Sequence, residues 1–232
     1  MLTINRTVTA SPDQWSIIIE GMRNPMESWD KSDTYWSDDF EDSEKDWVGY
    51  DSGSGSVMVI GDNDLNLMLK LSRAGSDHAK FRRMIPVYLT ITAPLYWWKE
   101  FDTYKVGTTT NSCSTMHKIH AHEFTFDDFS VDRLTPWSLN IFEDTINTLN
   151  LWRHEYLDTG DKTAWEQLIQ LLPSSYNQRR TVCLNYEVLH NIYHARRNHK
   201  LTEWHTLCDH ILKLPYSEII TGEATQPCTT SN

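Results

Sequence analysis

Residues 94–117, PLYWWKEFDTYKVGTTTNSCSTMH, place an aromatic run of helical spacing directly before a loop crowded with small hydroxyl and amide side chains. Pro94 suits a helix start because its missing N–H would be unpaired there in any case, and Leu95, Trp98 and Phe101 follow at helical intervals. The pattern stops near Gly107. From Thr108 to Ser114 every residue except Cys113 carries a short hydrogen-bonding group. That is more than a simple turn requires, and it predicts a polar ligand against the loop.

Working outward, residues 85–93 are β-branched and aromatic and read as a central strand feeding the Pro94 helix. Ahead of it, residues 57–61 read as a short strand and residues 64–74 as an amphipathic helix carrying Leu65, Leu67, Met68 and Leu71. His78, Lys80, Arg82 and Arg83 form a local basic cluster, read as a solvated helix or turn end. At the N-terminus, residues 2–8 suggest a strand, Ser11-Pro12 a turn or helix cap, and residues 15–22 a helix broken by Asn24-Pro25. Downstream, HAHEFTFDDFSVD (120–132) suggests a strand and turn. Residues 137–156 suggest a long helix with Leu139, Phe142, Ile146, Leu149 and Trp152 on one stripe, and residues 163–172 a shorter one ended by Pro173. Residues 178–197 read as another long helix, and residues 202–212 as the last, with Thr202 as its N-cap. A few strands with helices before, between and after them define an α+β fold class.

Residues 29–56, WDKSDTYWSDDFEDSEKDWVGYDSGSGS, combine dense carboxylates with aromatic residues and end in a Gly/Ser linker. They are open to two readings: a surface excursion with loosely packed aromatics, or a loop that binds a protein partner, chiefly through residues 29–50, or covers a site. The expected organisation is an N-terminal extension (1–56), an α+β core (57–218) and a disordered tail (219–232).

The 232 residues carry a net charge of −11, from 32 acidic and 21 basic side chains, which argues against a general nucleic-acid or membrane surface. No apolar run approaches the roughly 20 residues of a membrane helix, and MLTINRTVTASPDQW lacks the apolar centre of a signal peptide. A cytoplasmic location is expected. Cys113, Cys183, Cys208 and Cys228 are then read as reduced thiols. Two groups have metal-type ligands: Cys113, His117, His120 and His122, and the His190/His194 pair beside Glu187. Neither matches a strong zinc spacing, and no metal is expected.

Two blocks carry a family resemblance. In the first, Pro94, Tyr96, Asn111 and Ser114 match the order Pro-x-Tyr, a Gln, a basic triplet, then Asn-x-x-Ser. In the second, Leu172-Pro173, Asn185 and Leu189 match Leu-Pro followed by Asn-x-x-x-Leu, an Arg and a final Trp-containing turn near Trp204. The chain thereby resembles the flavin-dependent thymidylate synthases (ThyX). It departs from them at Glu100 in place of Gln, at Thr103-Tyr104-Lys105 in place of Arg-His-Arg, at one extra spacer residue, and at Met116-His117 in place of Arg-Tyr.

The resemblance implies a central, mostly antiparallel sheet flanked by long helices, assembled as a homotetramer. It implies methylation of dUMP with methylene-folate, FAD and NADPH, the flavin carrying the hard chemistry. Glu100, Tyr104, Lys105 and Asn111 would fall at cofactor positions and Ser114 at the catalytic position beside the pyrimidine. Arg196 or Arg197, according to the end from which one counts, would pair with the nucleotide, and Lys118 would help replace the cation lost at Met116. A guanidinium suits that pairing because its planar fork matches phosphate or a uracil edge. Each lost charge-assisted hydrogen bond is worth roughly 1.5–3 kcal/mol, so the departures favour membership of the family over turnover. The alternative is a non-catalytic relative that binds or sequesters a nucleotide, or engages a protein.

Overall fold

Along Pro86–Pro94 (β5), Val87, Leu89, Ile91 and Ala93 are fully buried while Tyr88 is half-exposed. That is the period of a strand covered on one face. The computed structural model describes residues 1–38, 47–50 and 56–222. In it β5 joins Thr3–Thr9 (β1), Asn177–Asn185 (β7) and Thr109–Ser112 (β6) in a four-stranded sheet of order β1-β5-β7-β6. A second, antiparallel sheet has the order β2-β4-β3, from Tyr35–Ser37 (β2), Trp47–Tyr50 (β3) and Val57–Val59 (β4). Sheets with several helices between them make the fold mixed α and β, as the order of strand and helix signals implies.

The chain divides into two units, and the boundary crosses all four strands of the first sheet. The first comprises Met1–Arg6, Leu89–Lys105 and Thr110–Val182. Its helices are Leu95–Phe101 (α3), Pro136–Thr159 (α4) and Lys162–Leu171 (α5). Helix α4 is capped by Thr135, whose hydroxyl accepts from Ser138 N, and stops at Gly160, which takes the left-handed conformation at φ 68°. Ile146 and Leu149 of α4 meet Leu168 of α5 and Ile119, Phe124 and Phe129 in one apolar cluster, with Phe142 and Trp152 packed against it.

The second unit comprises Thr7–Tyr88, Val106–Thr109 and Cys183–Asn232. Its helices are Pro12–Arg23 (α1), Asp62–Arg73 (α2), Tyr186–Arg196 (α6), Thr202–Ile211 (α7) and Glu218–Thr221 (α8). Ser11 and Gln14 form a reciprocal capping box at the start of α1, and Trp15, Ile18, Ile19 and Met22 bury its inner face. Cys113, Cys183 and Cys208 are free thiols. Burial lifts the Cys208 thiol to about 11, with Asp209 adding to it.

Four sequence readings need correction. Residues 178–197 are not one helix: they are strand β7 up to Asn185, then helix α6. The strand alternates, with Gln178, Val182 and Leu184 buried and Arg179 and Thr181 exposed, and a long helical window averages that period away. The polar loop contains strand β6, whose residues are all exposed. Residues 120–132 hold a 3-10 turn at Phe126–Asp128 and a single antiparallel bridge from Phe129 to Tyr176. Helix α7 is capped at Leu201, and the Thr202 hydroxyl is not its cap.

Residues 39–46, 51–55 and 223–232 lie outside the described residues, and with them most of the acidic segment's carboxylates, the Gly53–Gly55 linker and most of the expected tail. Residues 219–221 close α8. Among the described residues, no helix is long and apolar enough to cross a membrane.

Asp64 in α2 carries a dense set of hydrogen bonds. It is fully buried and accepts from Arg23 Nε at 2.6 Å, Ser32 Oγ at 2.7 Å, Thr34 Oγ1 at 2.7 Å, and the Asp33 and Thr34 backbone N–H groups at 3.1 Å. Burial alone would raise its pKa, but the hydrogen bonds from Thr34, Ser32 and Arg23, with the Arg23 charge, hold it below the usual 3.8. A depressed carboxyl stabilises the fold above its unfolded pKa and loses that contribution as pH falls through the folded value. Asp64→Ala, which strands a buried guanidinium, should lower unfolding free energy by about 3–5 kcal/mol in urea titrations at pH 7. The variant should also lose less stability than the parent between pH 4 and lower pH.

Candidate functional site

Helix α3 starts at Pro94, which offers no side-chain cap, so its first N–H groups need partners elsewhere. Leu95 N donates to Tyr176 O and Tyr96 N to Ser174 O, both at 2.9 Å. These bonds fasten α3 to the turn that precedes β7. The inner face of α3 is Trp97, Trp98 and Phe101, all essentially inaccessible, with Leu95 only partly buried. The two indoles meet edge-on at 4.8 Å, and Phe101 stacks on Trp97 at 5.1 Å. Tyr104 continues the series, 6.5 Å from Phe101.

Strand β7 supplies residues that the helical reading of 178–197 concealed. Trp98 Nε1 donates to Gln178 O at 2.9 Å, and the Gln178 amide donates to Cys113 O at 2.7 Å. The Arg180 guanidinium lies 4.4 Å from the centre of the Trp98 ring and donates to Gln178 Oε1 and Asp102 Oδ1, both at 2.8 Å. Cys113 N donates to Arg179 O at 2.9 Å, which continues the edge of β6. Gln178, Arg180, Trp98 and Asp102 thus form a rigid backing for residues 111–114. The signal available in the sequence was the two-residue period of Gln178, Arg180, Val182 and Leu184.

On that backing, Asn111 lies on exposed strand β6 with its neighbours Thr109, Thr110 and Ser112. Ser114 Oγ accepts from His117 N at 2.9 Å and from Met116 N at 3.2 Å. Both lone pairs of the hydroxyl are therefore engaged by the turn, and its proton is left for an acceptor. Glu100 lies on α3, Tyr104 and Lys105 follow that helix, and Lys118 follows the Ser114 turn, exposed. Thr103 Oγ1 donates to Glu100 O at 2.7 Å, so at the first position of the altered triplet the side chain closes its own helix end. Apart from Thr109, all of these residues belong to the first unit.

Arg196 and Arg197 belong to the second unit, at the C-terminal end of α6, where cations are favoured by the helix dipole. The Arg196 guanidinium lies 4.8 Å from the centre of the Trp204 ring, and that of Arg197 lies 5.7 Å from the centre of Tyr193. In the same unit, Asn185 caps α6 by accepting from Val188 N at 3.1 Å. Gly107 approaches this cap closely: a Cβ there would lie 3.1 Å from Asn185 Nδ2, at a φ of +77° that also favours glycine. Thr108 has a buried Oγ1 with no hydrogen-bond partner among the described residues.

The basic cluster ahead of β5 is divided by the structure. Arg82 is not solvated: it is buried and pairs with Glu187 at 2.8 Å, and burial lowers its pKa while Glu187 opposes the shift. His190 Nδ1 lies 2.6 Å from Ile220 O, and the His194 ring lies 4.4 Å away. Burial, opposed by the Ile220 carbonyl, lowers the His190 pKa. Among the described residues, no group of three His, Cys, Asp or Glu side chains is placed to hold a metal ion.

An α+β fold of this topology has solved counterparts. A crystal structure of thymidylate synthase X (ThyX) from Helicobacter pylori with FAD and dUMP superposes with a TM-score of 0.62 at 14% identity, covering 96% of each chain. A second structure, flavin-dependent thymidylate synthase ThyX from Helicobacter pylori complexed with FAD and dUMP, also gives 0.62 and 14%, over 96% of this chain and 97% of that one. The chain therefore has a ThyX-like fold. No protein-family model matches the sequence. No curated protein matches it either.

Trp98→Ala removes a fully buried indole and its bond to Gln178, and should lower unfolding free energy by about 3–5 kcal/mol. Asn111→Ala, on the exposed strand, should change stability by no more than about 0.5 kcal/mol. Denaturant unfolding of the two variants measures both.

Proposed function

We propose that this chain is a divergent flavin-dependent thymidylate synthase-like protein whose β6 edge and Ser114 turn bind a deoxyuridine nucleotide. The observation that carries the reading is the hydroxyl of Ser114: the turn's N–H groups engage its oxygen, so the role left to it toward a ligand is that of donor. Two further facts support it. The matched residues Asn111 and Ser114 lie on one edge strand and the turn after it, and the fold is like that of the Helicobacter pylori proteins with FAD and dUMP.

The donor set also fits a flavin. Asn111 offers both a donor and an acceptor, Tyr104 an aromatic face, Lys105 a cation, and Glu100 a carboxylate in place of the family's amide. When bound, FAD supplies redox equivalents and mediates carbon transfer from a methylene-folate to the pyrimidine. The protein's own part is to bind and orient. Ser114 donates to a pyrimidine or phosphate oxygen, Asn111 reads a polar edge, and Lys105 and Lys118 supply charge in place of the missing arginines. The resemblance gives Arg196 or Arg197 a nucleotide-pairing role, and separate alanine variants test it.

One observation favours a non-catalytic second reading. Thr103 Oγ1 caps its own helix and the Met116 side chain carries no charge, at two positions where the family has arginine. On this reading the fold retains a nucleotide and has lost turnover.

Denaturing the purified protein and weighing the released small molecules should yield FAD together with a deoxyuridine nucleotide. Protein given dUMP, methylene-folate, FAD and NADPH should form dTMP, and Ser114→Ala should weaken dUMP binding by about tenfold. Nucleotide binding without flavin or dTMP would select the non-catalytic reading. Binding of none of these ligands would overturn both.

A further inference from the structure

The second unit contains a cavity of about 590 Å³ lined by none of the residues that the resemblance names. That volume falls in the range of small-molecule sites. Trp29, Tyr35 and Trp36 line it, and they are 50%, 44% and 49% exposed. Three large aromatic side chains half-open around one cavity are unusual on a soluble surface unless something covers them.

The polar groups on the wall determine what that is. Ser32 and Thr34 direct their hydroxyl protons to Asp64, at 2.7 Å each, and so have none left for a ligand. Arg23 is neutralised by the same carboxylate through Nε at 2.6 Å, and its other nitrogens donate to Ser28 O at 3.2 Å and Lys31 O at 3.1 Å. Glu20 is the other ionisable group of the carboxylate or guanidinium type on the wall, and it makes no ion pair or side-chain hydrogen bond among the described residues. Ser16 adds one hydroxyl, and Ile19 and Met58 add apolar surface. The wall therefore presents aromatic and apolar surface, one hydroxyl, and one negative charge with no ion-pair partner among the described residues.

That combination disfavours anions and attracts a cation with an apolar shell through ring quadrupoles and the carboxylate. The wall is also held in advance of binding. Asp64 pins residues 32–34 from beneath, Trp29 Nε1 donates to Asn24 Oδ1 at 2.8 Å, and Tyr35 and Trp36 lie on β2, paired to β4. Preorganisation of this kind reduces the ordering cost of binding.

We propose that this cavity binds an organic cation of the quaternary-ammonium class, with the Trp29 ring and an aromatic ring from β2 against the cation and Glu20 as its counter-ion. The same chemistry is presented by a free choline-type molecule and by a trimethylated lysine in a peptide. The test titrates the full chain, followed by tryptophan fluorescence and calorimetry, with choline, with a peptide bearing N-trimethyl-lysine, and with 3,3-dimethyl-1-butanol as the neutral isostere of choline. One or both cations should bind, the tighter of the two identifying the source, and the isostere should bind at least about tenfold more weakly than choline. Glu20→Gln and Trp36→Ala alter exposed side chains and should fold normally by circular dichroism; each should weaken the bound cation by about tenfold. Binding of neither cation, equal binding of the isostere, or wild-type affinity in both variants would overturn the proposal.

Discussion

A helix that begins where a strand stops must find partners for its first N–H groups without a loop to supply them, and this constraint organises the chain twice. At the end of β7, Asn185 is both the last strand residue and the N-cap of α6. At the end of β5, Pro94 has no hydrogen-bonding side chain, and α3 instead takes the carbonyls of Ser174 and Tyr176. The second solution fixes where the turn before β7 must lie. It thereby fixes the register at which Gln178 and Arg180 reach Trp98, Asp102 and the Cys113 carbonyl. The exposed row of β6 and the Ser114 turn follow from that register.

Two buried charge systems do comparable work in the second unit. Asp64 gathers Arg23 and the segment from Ser32 to Thr34 around one carboxylate, and Arg82 with Glu187 ties the turn before β5 to α6. Buried ions of this kind add little net stability over an apolar core, but they penalise any arrangement that leaves one unpaired. Asp64 consequently selects one path for a segment that is otherwise polar and aromatic. The cavity lined by Trp29, Tyr35 and Trp36 depends on that path.

The polar surface at residues 109–114 is legible where it depends on short-range chemistry. A run of Thr, Asn and Ser after an aromatic helix predicts a polar surface, and Asn111 lies on an exposed edge strand. The supports of that surface were not legible. Gln178 and Arg180 are polar residues on a buried strand face, so a hydrophobicity pattern reads them as noise and merges β7 with the helix that follows it. Arg82 likewise looks solvated in the sequence, because its partner Glu187 is distant along the chain and a buried arginine cannot be told from a surface one without that partner.

By itself the sequence determined the elements whose signals are local: the turn or cap at Ser11-Pro12, the β-branched and aromatic run of β5, the stripe of α4 and the two blocks that resemble flavin-dependent thymidylate synthases. These depend on periodicity and on contacts within a turn, which a linear pattern records. Only the tertiary structure decided where β7 gives way to α6, which arginines are buried, what holds residues 111–114, and that Trp29, Tyr35 and Trp36 line a common cavity. Those outcomes turn on the partner of each buried polar group. Such partners lie tens of residues away, because desolvation demands a hydrogen bond without regard to distance along the chain.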